Sequence, residues 1–399
     1  MKVILVLSMV AITIASTAQE AKIGSAVPAL QVVNIINGKT RSINLESLKG
    51  KLVILDFWAT WCSPCVAALS KFENYKKQFG DKLVVLAVSD ETESRLKQFI
   101  KNRPTNLLIS SDTSGCLRQV FPHRTIPHTI LIGIDGSVKA ITNAEHITPE
   151  VLQLALKNVV VNLPLKKDNI SFDFDTFFKA DSSVQQTFNM LPPVEGTGTM
   201  SRVYPEGFFK GRRMTIVNMP MDGLYRLAYN MTHARMINEY DSVKRQYNKE
   251  KKYCLDFWIA KEDERGLHHF FQQKLKEQFV DVDAVMEKRK MKVLVIKADS
   301  TATKKLKPST KSSDLFSAGG SHFEGNGVQV KALAAYMEDF GLYNGIVIDE
   351  TGIAGRYDIF FEWQPERKES LKTAFSNLGL YWEVAEREVD VLVLKRISQ

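Results

Sequence analysis

From Ala26 to about Asn158, short apolar runs alternate with amphipathic stretches. Residues 51–58 (KLVILDFW), 82–89 (KLVVLAVS), 106–110 (NLLIS) and 128–134 (HTILIGI) have the length and composition of buried strands. Between them, residues 63–79, 93–102 and 113–120 space their apolar side chains as helices do. A last helix is predicted over 148–160, with Thr148 as N-cap, Pro149 in the first helical position and Glu150 behind it. This alternation, closed by a hairpin around Asp135-Gly136-Ser137, predicts an α/β domain over 24–160: a mixed central sheet with helices on both faces.

The pattern fails over residues 161–200, where Pro, Gly and polar residues predict a linker and the irregular start of a second region. Two stretches further on repeat one order. The first runs through 214–230, 253–260, a helix near 265–279, and 291–299. The second runs through 328–341, 357–363, 368–379 and 389–397. Each reads strand, helix, strand, helix, strand, with an extra strand in the second near 344–350. An α+β region of two repeated small βαβ(β)αβ units is therefore expected, at 201–300 and 328–399, joined by a Ser-, Gly- and Lys-rich flexible connection at 301–327.

At 399 residues the chain exceeds what one hydrophobic core organises. Its first residues carry Lys2, an apolar run from Val3 to Ile14, and the small residues Ser16 and Ala18. They read as a signal peptide over 1–18, cleaved near Ala18, with export to the periplasm. The run is shorter than the ~20 residues that span a bilayer, although an uncleaved signal would hold the chain at the membrane. The formal charge of +8 is uneven: residues 1–160 hold 18 Lys and Arg against 12 Asp and Glu. That excess favours acidic partners or an anionic membrane surface. Nucleic acid is not expected as a partner, since export removes the target and no known binding motif for it is present.

The four cysteines are Cys62, Cys65, Cys116 and Cys254. One close pair and two scattered singletons make neither a disulfide framework nor a four-thiolate zinc site. Cys116, on a predicted helix, and Cys254, on a predicted strand, are expected to be buried small hydrophobes. Cys62-Ser63-Pro64-Cys65 follows a strand and opens a helix, the setting of a redox motif. Two cysteines three apart on a first helical turn can close a disulfide, and the helix N-terminus stabilises a thiolate on the leading sulfur. Cys62 is then expected to be the exposed nucleophile and Cys65 the buried resolving thiol. Pro64 suits a first helical turn, where its missing N–H costs little.

Residues 53–65 (VILDFWATWCSPC), the extension 27–51 and residues 125–138 (TIPHTILIGIDGSV) together resemble the thioredoxin superfamily, specifically its exported TlpA/ResA-like branch. The resemblance covers about 24–160. It implies thiol–disulfide exchange, with Pro127 as the cis-proline that lies against the disulfide and helps hold substrate backbone. It also implies Asp56 as the buried acid that handles a proton for the resolving thiol, and Trp61 exposed beside the thiol pair. Glu91 aligns one position off a partner-sensing Glu of the branch. His128 is expected to point away from the sulfurs. Neither cofactor nor metal is implied. The partners implied are disulfide-bonded envelope proteins as substrates and a membrane thiol–disulfide electron donor. Reduction is the usual direction of the branch. A drifted, non-catalytic scaffold and a thiol peroxidase are the alternatives; the second would want a Thr-x-x-Cys pocket, which this sequence lacks.

Residues 347–366 and 371–397, with 212–230 and 270–279 upstream, resemble a soil-associated C-terminal domain family of unknown function. The repeat unit is more weakly similar to the short N-terminal domain of secretins and TonB-dependent receptors. No catalytic residue comes with either resemblance. Gly352, Gly355 and Tyr357 are expected to form a turn and a packing aromatic that feed a strand.

Overall fold

A computed structural model of the chain describes residues 20–240, 251–263, 266–312, 316–319, 321–340 and 342–397. The expected signal peptide at 1–18 lies outside them. No helix among the described residues is long and apolar enough to cross a membrane.

Leu52–Phe57 (β1) is buried at every position and forms the middle of a five-stranded mixed sheet. Its neighbours are Leu83–Ser89 (β2), Leu108–Ser111 (β3), His128–Ile132 (β4) and Val138–Thr142 (β5), in the order β3-β2-β1-β4-β5. β2 and β3 run parallel to β1, and β4 and β5 alternate antiparallel, so the sheet is thioredoxin-like. A strand buried on both faces needs apolar cover on each side. Ser63–Phe79 (α1), Glu93–Asn102 (α2) and Pro149–Leu156 (α4) cover one face with Phe72, Leu96, Phe99 and Leu152. The other face packs against the short helix Cys116–Val120 (α3) and the N-terminal extension, through Val32, Ile35, Leu45, Leu117 and Phe121. Thr148 and Thr92 cap α4 and α2 through their hydroxyls, as their sequence settings require.

Among the described residues the second region holds three four-stranded sheets and few helices. Thr187–Leu191 (β6), Met200–Val203 (β7), Arg213–Pro220 (β8) and Lys252–Trp258 (β10) build an antiparallel sheet in the order β6-β10-β8-β7. Met236–Asn238 (β9), Val282–Ala298 (β11), Val347–Asp349 (β15) and Leu380–Arg396 (β17) build a mixed one, ordered β9-β17-β11-β15. Lys307–Pro308 (β12), Phe316–Gly319 (β13), His322–Val328 (β14) and Tyr357–Glu362 (β16) complete the third, in the order β12-β16-β14-β13. Met221–Ala228 (α5) and Leu267–Gln278 (α6) pack on the first sheet, Lys331–Asp339 (α7) and Lys368–Asn377 (α8) on the third. β11 and β17 pair antiparallel along their whole length, from Val282 opposite Arg396 to Ala298 opposite Leu380. β9 then adds parallel to β17, and β15 parallel to β11.

Three expectations are corrected. The expected flexible connection at 301–327 carries strands: β14 alternates buried Phe323 and Gly325 with exposed Glu324 and Asn326, an alternation that Gly and Asn disguise in the sequence. The expected linker 161–200 holds β6 and a packed aromatic cluster of Phe172, Phe174 and Phe178. An extra strand occurs in both halves of the second region, since β9 takes the place in the first that β15 takes in the second. Gly352 (φ 67°) and Gly355 (φ 103°) adopt the left-handed backbone that a turn before β16 requires, and the Tyr357 hydroxyl donates to the Ala354 carbonyl at 2.9 Å.

Candidate active site

β1 ends against the first turn of α1, and this junction delivers the sulfurs. Cys62 is the N-cap of α1 and Pro64 lies in its first turn. Cys62 and Cys65 are joined as a disulfide across a Cα separation of 5.2 Å, and the Cys65 N–H donates to Cys62 Sγ at 3.3 Å. Cys62, expected to be the exposed member, keeps only 6% of its surface. Its sulfur is turned onto Cys65 and the helix N-terminus, while Trp61 beside it is 49% exposed. Cys116 is exposed rather than buried, at the start of α3 where Ser114 donates to its sulfur; Cys254 is buried on β10.

Asp56 lies on β1 with no exposed surface, and alternation along the strand puts it on the face that α1 and Cys65 cover. Its Oδ1 accepts the Thr129 hydroxyl from the facing strand at 2.6 Å, and its Oδ2 has no partner among the described residues. Burial pushes the carboxyl up to about 7, against the smaller opposing pulls of the Thr129 bond and the Lys166 charge. The result is an acid that can take or give a proton near neutrality. Ile126–Pro127 is a cis peptide at the start of β4. His128 faces away from Asp56: its ring lies 5.8 Å from that of Phe57 and stacks on His123 at 4.8 Å. Burial first, then the Lys166 charge, lowers it to about 3, so it is neutral at physiological pH. A groove of about 340 Å³ opens beside Trp61 and Ile126, lined further by Asp90, Arg118 and His123.

Two sets of residues flank the site, and of these the sequence points only to Glu91. Lys166 and Asp168, from the expected linker, form an ion pair at 2.7 Å whose side chains are 9% and 6% exposed. Both bond to residues 124–125, just before Pro127. On the other side, Glu91 accepts both the backbone N–H and the hydroxyl of Thr60 at 2.7 Å, two residues before Cys62. Arg95 donates its Nε to that same hydroxyl at 3.1 Å and both terminal nitrogens to Glu366 of the second region at 2.7 Å. No periodicity marks such contacts, because their partners are 31 to 271 residues apart. Among the described residues no group of three or more His, Cys, Asp and Glu could hold a metal ion.

Residues 23–141 match the AhpC/TSA family, and residues 222–397 match a family described as a protein of unknown function, DUF3738. Over 146 residues the chain is 31% identical to the thiol-disulfide oxidoreductase ResA of Bacillus cereus, covering 36% of this chain and 82% of that protein. The chain belongs to the ResA-like thiol-disulfide oxidoreductases. The ResA protein of Oceanobacillus iheyensis is 32% identical over 123 residues, which cover 30% of this chain and 64% of that relative's length. Among solved structures, the pneumococcal exposed lipoprotein thioredoxin Etrx1 of Streptococcus pneumoniae is 28% identical, with a TM-score of 0.29, and covers 33% of this chain and 98% of that one. The AhpC/TSA match at 23–141 falls on the domain built on the five-stranded sheet, and the rest of the chain lies beyond it.

Proposed function

We propose that this ResA-like protein is an exported disulfide reductase of the bacterial envelope, with Cys62 as nucleophile and Cys65 as resolving thiol. The observation that carries the reading is the Cys62–Cys65 pair on the first turn of α1 with a buried Asp56 that titrates near neutrality on the same side of the sheet. In the reduced protein, the Cys62 thiolate attacks one sulfur of a partner's disulfide, forming a mixed disulfide and expelling a partner thiolate. The Asp56 carboxylate takes the Cys65 proton, and the Cys65 thiolate then attacks Cys62 Sγ. The second partner thiolate leaves; the partner has gained two electrons and the Cys62–Cys65 disulfide is restored. A membrane thiol–disulfide electron donor of the periplasmic face would return the pair to its dithiol form. Pro127 and the half-exposed Trp61 are read as the surface on which a substrate main chain lies.

The second region is read as a partner-binding adapter made of two copies of one βαββαβ unit. Support for duplication is the matching order β8-α5-β9-β10-α6-β11 and β14-α7-β15-β16-α8-β17, with β11 and β17 paired about a common centre. The deciding experiment is the reduction potential of the pair, by equilibration against defined dithiothreitol or glutathione ratios and mass readout of the thiols. A value near or below roughly −270 mV supports the reductase; one near roughly −120 mV makes the protein an oxidant and overturns the direction proposed.

A further inference from the structure

Residues 164–169, beyond the end of α4 at Leu156, cross the end of the redox sheet as a strap. One side of the strap is fixed to β5: the Lys166 N–H donates to the Ile141 carbonyl at 2.9 Å, and the Thr142 hydroxyl donates to the Pro164 carbonyl at 2.7 Å. The other side grips the loop that enters Pro127. Asp168 Oδ2 accepts the backbone N–H groups of Arg124 at 2.7 Å and Thr125 at 3.1 Å, and Oδ1 accepts the Thr125 hydroxyl at 3.2 Å. Lys166 Nζ donates to the Thr125 carbonyl at 2.7 Å and lies 3.4 Å from His128 Nδ1. The Arg124 guanidinium reaches back to the Phe172 carbonyl at 2.8 Å. Behind the strap stands Gly196 (φ 73°), whose N- and C-terminal neighbours belong to the second region's entry; a Cβ there would meet the Asn169 nitrogen and the Lys167 carbonyl at 2.7 Å. The polar groups of residues 124 and 125 are therefore tied to an ion pair that is itself almost wholly buried, although Thr125 is exposed.

We propose that Lys166 and Asp168 are positioning residues for substrate engagement, holding the loop before Pro127 in the conformation that receives a substrate main chain. The chemistry favours this over a generic packing role. A carboxylate that accepts three bonds from two consecutive residues, with the lysine on the carbonyl of the second, fixes the orientation of the peptide groups leading into Ile126 and Pro127. A small disulfide needs only the sulfur of Cys62, whereas a protein disulfide also needs this backbone in place. The inference rests on the reading that the Pro127 loop carries the substrate main chain.

The test compares full-length reduced proteins on two probes, insulin as a protein disulfide and oxidised glutathione as a small one. Asp168→Ala and Lys166→Met are expected to lower the ratio of insulin to glutathione rates about tenfold, mainly through KM for insulin, the equivalent of about 1.4 kcal/mol in binding. Lys166→Arg should restore most of the ratio. Thr125→Val, which removes one exposed hydroxyl and leaves the ion pair intact, should lower it a few-fold and serves where the larger changes unfold the protein. Pro127→Ala tests the underlying reading separately. If Pro127→Ala shifts the ratio while the Asp168, Lys166 and Thr125 variants leave it at the wild-type value, the inference is wrong and the reading stands. If Pro127→Ala also leaves the ratio unchanged, the reading itself fails.

Discussion

Asp56 carries an ordinary carboxyl into a place where its charged form has one hydroxyl bond and no exposed surface, and burial is the larger effect. Its proton affinity rises from 3.8 to about 7 on folding, so the folded protein holds a proton that the unfolded chain releases over that window. Stability attributable to this group is present below about pH 4 and is lost as pH rises through 7. Urea unfolding of the oxidised wild type should therefore show declining stability between pH 5 and 8. Asp56→Asn should flatten that slope and be the more stable protein at pH 8, by about 2–4 kcal/mol. Parallel curves for the two proteins would remove the buried acid from the account. In exchange, the same substitution should slow release of the mixed disulfide. The inflection of that step should move from near 7 toward the ordinary thiol value of about 8.5, read by stopped-flow release of a labelled partner thiol.

β1 and the Cys62–Cys65 turn could be read directly, because a mostly apolar run, a helix-opening proline and a local motif each act within a dozen residues. β8 and β10 were legible for the same reason, yet what holds them together was not. Arg213 on β8 grips Asp256 on β10 through two bonds of 2.9 Å, both side chains 6% exposed, and the guanidinium also donates to the Phe178 carbonyl at 2.8 Å. Tyr204, Phe209 and Trp258 surround it within 6 Å. Arg213 is the second of a basic pair and opens β8, and nothing in the sequence near it signals the pairing with Asp256. The buried pairing also explains why residues 174–178 pack onto a sheet instead of serving as a linker. Asp256→Ala should cost about 3–5 kcal/mol in chemical denaturation, because it strands a buried guanidinium. Replacing both partners by Met and Leu should cost much less, and equal losses for the two constructions would argue against a charge-specific role.

The redox domain and the second region meet at an ion pair that neither sequence pattern announced, since Glu366 sits in a loop between β16 and α8 and Arg95 on the polar face of α2. The contact is bidentate, the Glu366 side chain is 4% exposed, and Asn102 adds a bond to Gln364 at 3.1 Å. Although burial opposes its charge, the Arg95 bonds hold the Glu366 carboxyl below the ordinary glutamate value. Through Arg95 the contact reaches the Thr60 hydroxyl, and through Thr60 the Glu91 carboxylate, so seating of the second region is connected to the turn that presents Cys62. The physical expectation is that one joint serves both stability and the conformation of that turn. Glu366→Ala leaves Arg95 partly buried without its counter-charge and should weaken the joint by roughly 2–5 kcal/mol. Thermal unfolding followed by calorimetry should then separate into a redox-domain and a second-region transition. Amide exchange at residues 59–62 should quicken in the same variant, because the Thr60 N–H is held by Glu91 and that pair by Arg95. The charge-reversed pair Arg95→Glu with Glu366→Arg restores attraction across the joint without restoring the Arg95–Thr60 bond. It should recover the single transition and leave the exchange at 59–62 fast. Recovery of both, or of neither, would mean that the joint does not reach the redox turn by way of Arg95.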